Sequence, residues 1–107
     1  MSGQLGDFEF TILAAVAQLG DEAYGAAIHR LILEKLGRNA AVGAIYLTLR
    51  RLSDKKLLTS RVSDPTPVRG GRARRHYRLT ASGAASLRRA ARERSRVLES
   101  LSLGYTS

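Results

Sequence analysis

The side chains best suited to chemistry in this chain are arginines. Arg50 and Arg51 stand side by side near its middle, and Arg69, Arg72, Arg74 and Arg75 crowd around a Gly70-Gly71 pair. A guanidinium stays charged at any biological pH and offers a planar fork of donors that suits a phosphate or a base edge. The chemistry on offer is therefore the holding of a polyanion. Bond-making chemistry is poorly supplied. His29 and His76 are the only near-neutral bases, and neither has a patterned Ser or Asp neighbour. The chain has no cysteine, so it has neither a disulfide framework nor a thiolate metal site. His29 lacks a second ligand at metal-binding spacing. Gly70-Gly71 is not followed by Lys-Ser/Thr and joins strand to strand, so it is no phosphate loop. The expectation is a non-enzymatic protein with no cofactor and no metal.

The charge is large and lopsided. The formal net charge is +9 over 107 residues. Residues 1–49 hold three basic and five acidic side chains, a net of −2, whereas residues 50–107 hold fifteen and four, a net of +11. Such asymmetry points to an acidic polymer or surface. Nucleic acid fits better than membrane, because no helix joins a basic face to large apolar anchors. The longest apolar stretch, residues 8–19, is too short and interrupted to span a bilayer, and the start of the chain lacks the basic region of a secretory signal. A cytoplasmic location is the default expectation. The length suits one domain with a modest core, for which dimerisation is a natural source of further stability.

The adjacent arginines must be carried by a helix. Over residues 41–55, Ile45, Leu49 and Leu52 recur at i, i+4 and i+7 and form one stripe. The opposite side carries Gly43, Leu47, Arg50, Arg51 and Asp54. One face suits a small core and the other an anionic partner, duplex DNA foremost. An ordinary amphipathic helix with solvated arginines is the plainer alternative. On the DNA reading Ala44, Leu47 and Thr48 discriminate bases, Gly43 shares their face, and Arg50 and Arg51 meet phosphates.

Two helices precede this one. Leu5, Phe8, Ile12, Leu13, Val16 and Leu19 set a first helix over 5–19 that Gly20 stops. After a connector at 21–23, a second helix spans 24–36 and ends at Gly37. Beyond the third helix the period drops to two. Leu58, Ser60 and Val62 alternate with Thr59, Arg61 and Ser63 in a strand over 57–64. Both prolines and Gly70-Gly71 make 65–73 a loop. A second strand over 74–79 puts Tyr77 and Leu79 on one side and His76 and Arg78 on the other. Thr80 is a good N-cap for a last helix over 81–103. There Ala84, Leu87, Ala91, Arg94, Leu98 and Leu101 alternate steps of three and four, a narrow seam weakened by Arg94. A second copy of the chain is the expected partner of that seam, at Leu87, Ala91, Leu98 and Leu101, with Phe8 of the first helix joining it.

The expected fold is mostly α with a small β-hairpin: a winged helix-turn-helix domain over 5–79 and a C-terminal dimerisation helix over 80–103 packed with it. In that fold the third helix enters a major groove while the hairpin tip, slim at its glycines and rich in arginine, reaches the flanking backbone or minor groove.

Three segments resemble the hallmarks of the PadR family of transcriptional regulators: AYGAAIHRLI at residues 23–32, VGAIYLTLRRL at 42–52 and RRHYRLTASG at 74–83. The matching positions are Tyr24-Gly25, then Gly43, Ile45, Tyr46, Arg51 and Leu52, then Tyr77, Leu79, Thr80 and Gly83. The resemblance implies a bacterial repressor that binds DNA as a homodimer through a winged helix, with Tyr24 and Tyr46 among the contacts to operator backbone and bases. Packing between helices is the other role open to these two tyrosines. The short C-terminal region is similar to the smaller of the family's two size classes. The chain departs from the pattern at Lys56, where the family commonly has glycine, and at Leu47, where it often has proline. The resemblance leaves room for a small-molecule effector of unknown identity. Some small members bind flat aromatic compounds through a tryptophan in the dimer pore, and the lack of tryptophan here speaks against that mode. An RNA-binding or ribosome-associated basic domain and a protein-interaction winged helix are the rival readings of the same residues.

Overall fold

Among the described residues, four α-helices and an antiparallel strand pair are assembled around an apolar cluster. A computed structural model describes residues 5–63 and 74–101. Along the chain come α1 (Asp7–Leu19), a 3₁₀ turn (Gly20–Glu22), α2 (Gly25–Glu34), α3 (Val42–Asp54), β1 (Leu58–Val62), β2 (Arg75–Leu79) and α4 (Ala81–Leu101). The loop expected at 65–73 lies outside the described residues, as do Arg69 and Arg72.

The core forms where the helical stripes meet. Ile12, Leu13 and Val16 of α1, Ile28 and Ile32 of α2, and Ile45, Leu49 and Leu52 of α3 are all buried, and Leu58 and Tyr77 close the cluster from the hairpin. Each fully buried aliphatic side chain contributes roughly 1.5–3 kcal/mol of transfer free energy. This cluster is what holds α3 with its other face outward.

Helix ends follow local chemistry. The Gly6 N–H donates to Glu9 Oε1 at 3.1 Å, while Glu9 Oε2 accepts from Lys55 Nζ at 2.7 Å, so one carboxylate ties the start of α1 to the end of α3. The Gly83 N–H donates to Thr80 Oγ1 at 2.9 Å, the N-cap expected for α4. At the end of α3, the Leu57 N–H reaches the Leu52 carbonyl (2.9 Å) and the Lys56 N–H the Ser53 carbonyl (3.0 Å). That is a Schellman ending, which requires a left-handed residue. Lys56 supplies it at φ 63°, at the position where glycine was the expected residue.

The hairpin is antiparallel, with Leu58 opposite Leu79, Ser60 opposite Tyr77 and Val62 opposite Arg75. Its inner face is Leu58, Tyr77 and Leu79. Val62 shares that face but is exposed, because the hairpin runs out past the core before the strand ends. β2 has a further neighbour: the Tyr77 N–H donates to the Ala23 carbonyl at 2.8 Å, and Tyr24 bridges His76. The connector after α1 is thus stitched to the hairpin.

The last helix packs part of its length on its own domain. Gly83 and Ala90 are buried against the same domain, and Leu87 is half-buried against its core. Arg94 points inward: its guanidinium lies 3.9 Å from the Phe10 ring centroid and pairs with Asp7 Oδ1 at 2.7 Å. Phe8 too packs on the core of its own chain, with the Arg38 guanidinium 5.0 Å above its ring. Phe8 and Leu87 are therefore engaged within the chain. Ala91, Leu98 and Leu101 remain exposed, with Val97 beside them.

Candidate nucleic-acid interface

α3 turns a continuous surface away from the core. Gly43, Ala44, Tyr46, Leu47, Arg50 and Arg51 are all exposed on it, and Val42, Tyr46 and Leu47 each expose about half of their area, 51%, 48% and 51%. Thr48 is a correction. It was expected to read bases, but it is 5% exposed. α1, α2 and the hairpin pack around α3, so its buried arc is wider than the Ile45–Leu49–Leu52 stripe and takes in Thr48.

Beside this face stands a cluster that the sequence pattern alone did not assemble. Tyr24 is the residue before α2. Its ring has the Arg74 guanidinium 4.3 Å above its centroid and the His76 imidazole edge-on at 5.7 Å. His76 Nδ1 lies 3.1 Å from the Asp21 carbonyl oxygen, within hydrogen-bond distance. Tyr46 of α3 reaches the residue after Tyr24, with its hydroxyl end against Gly25. Arg74 and Tyr24 thus join the base of the hairpin to the start of α2, where Tyr46 of α3 lies against Gly25. A cation over an aromatic face at this distance contributes about 0.5–1 kcal/mol at an exposed site. The larger effect is that Arg74 is held in place.

The hairpin stem is braced. The Ser63 N–H donates to the Arg74 carbonyl (2.8 Å), the Arg74 N–H to Ser63 Oγ (3.2 Å), and Arg75 Nη1 to Ser60 Oγ (3.0 Å). Arg61 and Arg78 lie on the opposite face of the hairpin, Arg78 facing Asp21 Oδ1 at 3.3 Å. Sequence reading did not single out Arg61, His76 or Arg78 as site residues. The alternation of the strands was the available signal, since it sets them on the face away from Tyr77.

Two groups have displaced acidities. Burial pushes the Tyr77 phenol up, opposed by the charge of Arg75 and aided by Tyr46. Burial also acts to raise the Glu9 carboxyl. The hydrogen bonds from Lys55 and the Gly6 N–H, with the charges of Lys55 and Arg51, outweigh it and hold Glu9 below its ordinary value. Among the described residues, no three His, Cys, Asp or Glu side chains gather as metal ligands, and no helix is long and apolar enough to cross a membrane.

Comparison with known proteins bears on the family and the fold. The model of the transcriptional regulator PadR-like family matches residues 12–89. No curated protein gives a significant match. Among solved structures, smu.1704 from Streptococcus mutans UA159 superposes with a TM-score of 0.74 at 26% identity over 100% of this chain and 98% of that one. A PadR family transcription regulator from hypervirulent Clostridium difficile R20291 gives 0.68 at 27% identity, over 90% and 96%. Bacillus subtilis PadR, solved in complex with operator DNA, gives 0.62 at 26% identity, over 77% of this chain and 45% of that one. The mostly helical chain with its two-stranded hairpin has the winged-helix fold of these structures.

Proposed function

Because the chain belongs to the PadR-like family of transcriptional regulators, we propose that it is a cytoplasmic repressor that binds a near-palindromic DNA operator as a homodimer. The observation that carries this reading is the joined surface of α3, Tyr24, Tyr46 and Arg74. It places an exposed helix face, two arginines and a braced hairpin stem side by side. The operator complex of Bacillus subtilis PadR supports DNA as the partner. In this reading α3 lies in the major groove, with Arg50 and Arg51 on phosphates. Arg74 and Arg75, with Arg69 and Arg72 from the sequence between the two strands, hold the flanking backbone. The exposed Val97, Leu98 and Leu101 of α4 support pairing with a second copy. The pair would set two α3 helices about 34 Å apart, one turn of duplex. Occupancy of a promoter then excludes the transcription machinery.

Fluorescence anisotropy with the protein's own promoter region tests this. Binding should weaken on the order of a thousandfold between 50 and 200 mM salt if about six phosphates are neutralised. Structured RNA should compete poorly. Weak, salt-insensitive DNA binding, or a preference for RNA, would overturn the reading.

A further inference from the structure

Three described glycines lie in the first turn of a helix: Gly25, Gly43 and Gly83. Two have reasons within the fold. A Cβ on Gly25 would collide with Tyr46, and one on Gly83 with the Leu57 carbonyl. Gly43 has none. Its φ is not positive, and a Cβ there would meet nothing within 4 Å. Glycine is a poor helix former, so the fold gains nothing from it. A glycine on an exposed helix face, with open space around it, is what a close-approaching outside body requires.

Its neighbours describe that body. Leu47 lies one turn on, on the same outward face, and is 51% exposed. The missing side chain leaves a notch with helix backbone as its floor and Leu47 as its wall. This half of α3 exposes no side chain aimed to hydrogen-bond a base. Val42 and Ala44 are apolar, Thr48 is buried, and Tyr46 turns its hydroxyl end to Gly25. Hydrogen-bonding groups begin again at Arg50.

We propose that the notch between Gly43 and Leu47 receives the C5-methyl group of a thymine in the major groove and selects that base in each half-site. Thymine is the one base with an apolar group on its major-groove edge. The polar edge of any other base would face Leu47 with its hydrogen bonds unmade. This inference rests on the DNA-binding reading above and makes it specific.

The test begins with duplexes selected by the wild-type protein from a random library, in which one thymine per half-site should be enriched. Replacing that thymine by deoxyuridine, which removes only the methyl group, should weaken binding about fourfold per half-site. Gly43→Ala should weaken binding about tenfold, yet melt at the same or a higher temperature than wild type. Leu47→Ala should bind the thymine and deoxyuridine duplexes equally. If deoxyuridine costs nothing at any enriched thymine, or the Leu47→Ala protein still distinguishes the two duplexes, the notch does not read a methyl group. Gly43→Ala binding at wild-type strength overturns the close approach. Selection of no duplex at all overturns the DNA-binding reading along with the inference.

Discussion

The hydroxyl end of Tyr46 occupies the space that a side chain on residue 25 would need. Gly25 opens α2 and Tyr46 lies on the outward face of α3, so this one contact sets the two helices of the helix-turn-helix against each other. It also gives the Tyr24-Gly25 pair and Tyr46 a shared physical reason. Tyr24 offers its ring to Arg74, and Gly25 makes room for Tyr46 beside it.

Two glycine replacements should therefore behave differently. In Gly25→Ala the obstacle is a half-exposed ring that can rotate into solvent, so stability should fall by no more than about 1 kcal/mol. The rotated ring would then obstruct the face of α3, and DNA affinity should fall by more than stability does. In Gly83→Ala the obstacle is the Leu57 backbone carbonyl, which cannot step aside. A loss of roughly 2–3 kcal/mol is expected there. Urea denaturation of both variants, with Gly25→Ala/Tyr46→Ala as the relieved double variant, checks the order.

Lys56 is the only described non-glycine residue with positive φ. A side chain in the left-handed region costs roughly 1–2 kcal/mol relative to its ordinary conformation, and glycine escapes much of that cost. Lys56→Gly should raise stability by about 1 kcal/mol, since the Schellman hydrogen bonds use only backbone atoms. A urea midpoint at or below that of wild type would show that the lysine side chain has a compensating role.

Arg94 separates two pictures of α4. If it sat in a subunit seam, Arg94→Leu would tighten self-association. With its guanidinium on Phe10 and Asp7 of its own chain, the change should leave self-association unaltered. It should lower stability by about 1 kcal/mol, since Asp7 is largely exposed and its ion pair is screened. Sedimentation equilibrium and thermal unfolding of the variant distinguish the two.

The order of elements was legible in the sequence because each one announces itself locally. The stripe of α3, the alternation of the strands, Thr80 as N-cap and the glycine stops all act within a few residues. The misplaced residues depend on what packs from elsewhere. Thr48 is buried because neighbours flank α3 on both sides. Arg94 faces inward because Phe10 and Asp7 happen to lie opposite, and helical spacing cannot tell such an inward face from a dimer seam. The cluster of Tyr24, Arg74 and His76 joins residues some fifty positions apart through one β-bridge, and no periodicity encodes it.

Glu9 should make stability sensitive to acid. Its carboxyl is held below the ordinary value of 4.5 in the folded chain, so folding favours the charged form. Its contribution is complete above the unfolded value and is lost as pH falls through the lowered folded one. The urea midpoint should therefore decline from about pH 5 downward, and less steeply in Glu9→Gln. Lys55→Met gives the sharper test. It removes a hydrogen bond and a positive charge while leaving the burial that pushes the carboxyl up. The Glu9 titration followed by NMR should then move to higher pH, and the acid loss of stability should shrink as the folded and unfolded values converge. An unchanged titration in Lys55→Met would mean that the 2.7 Å contact between α1 and α3 is not held in solution.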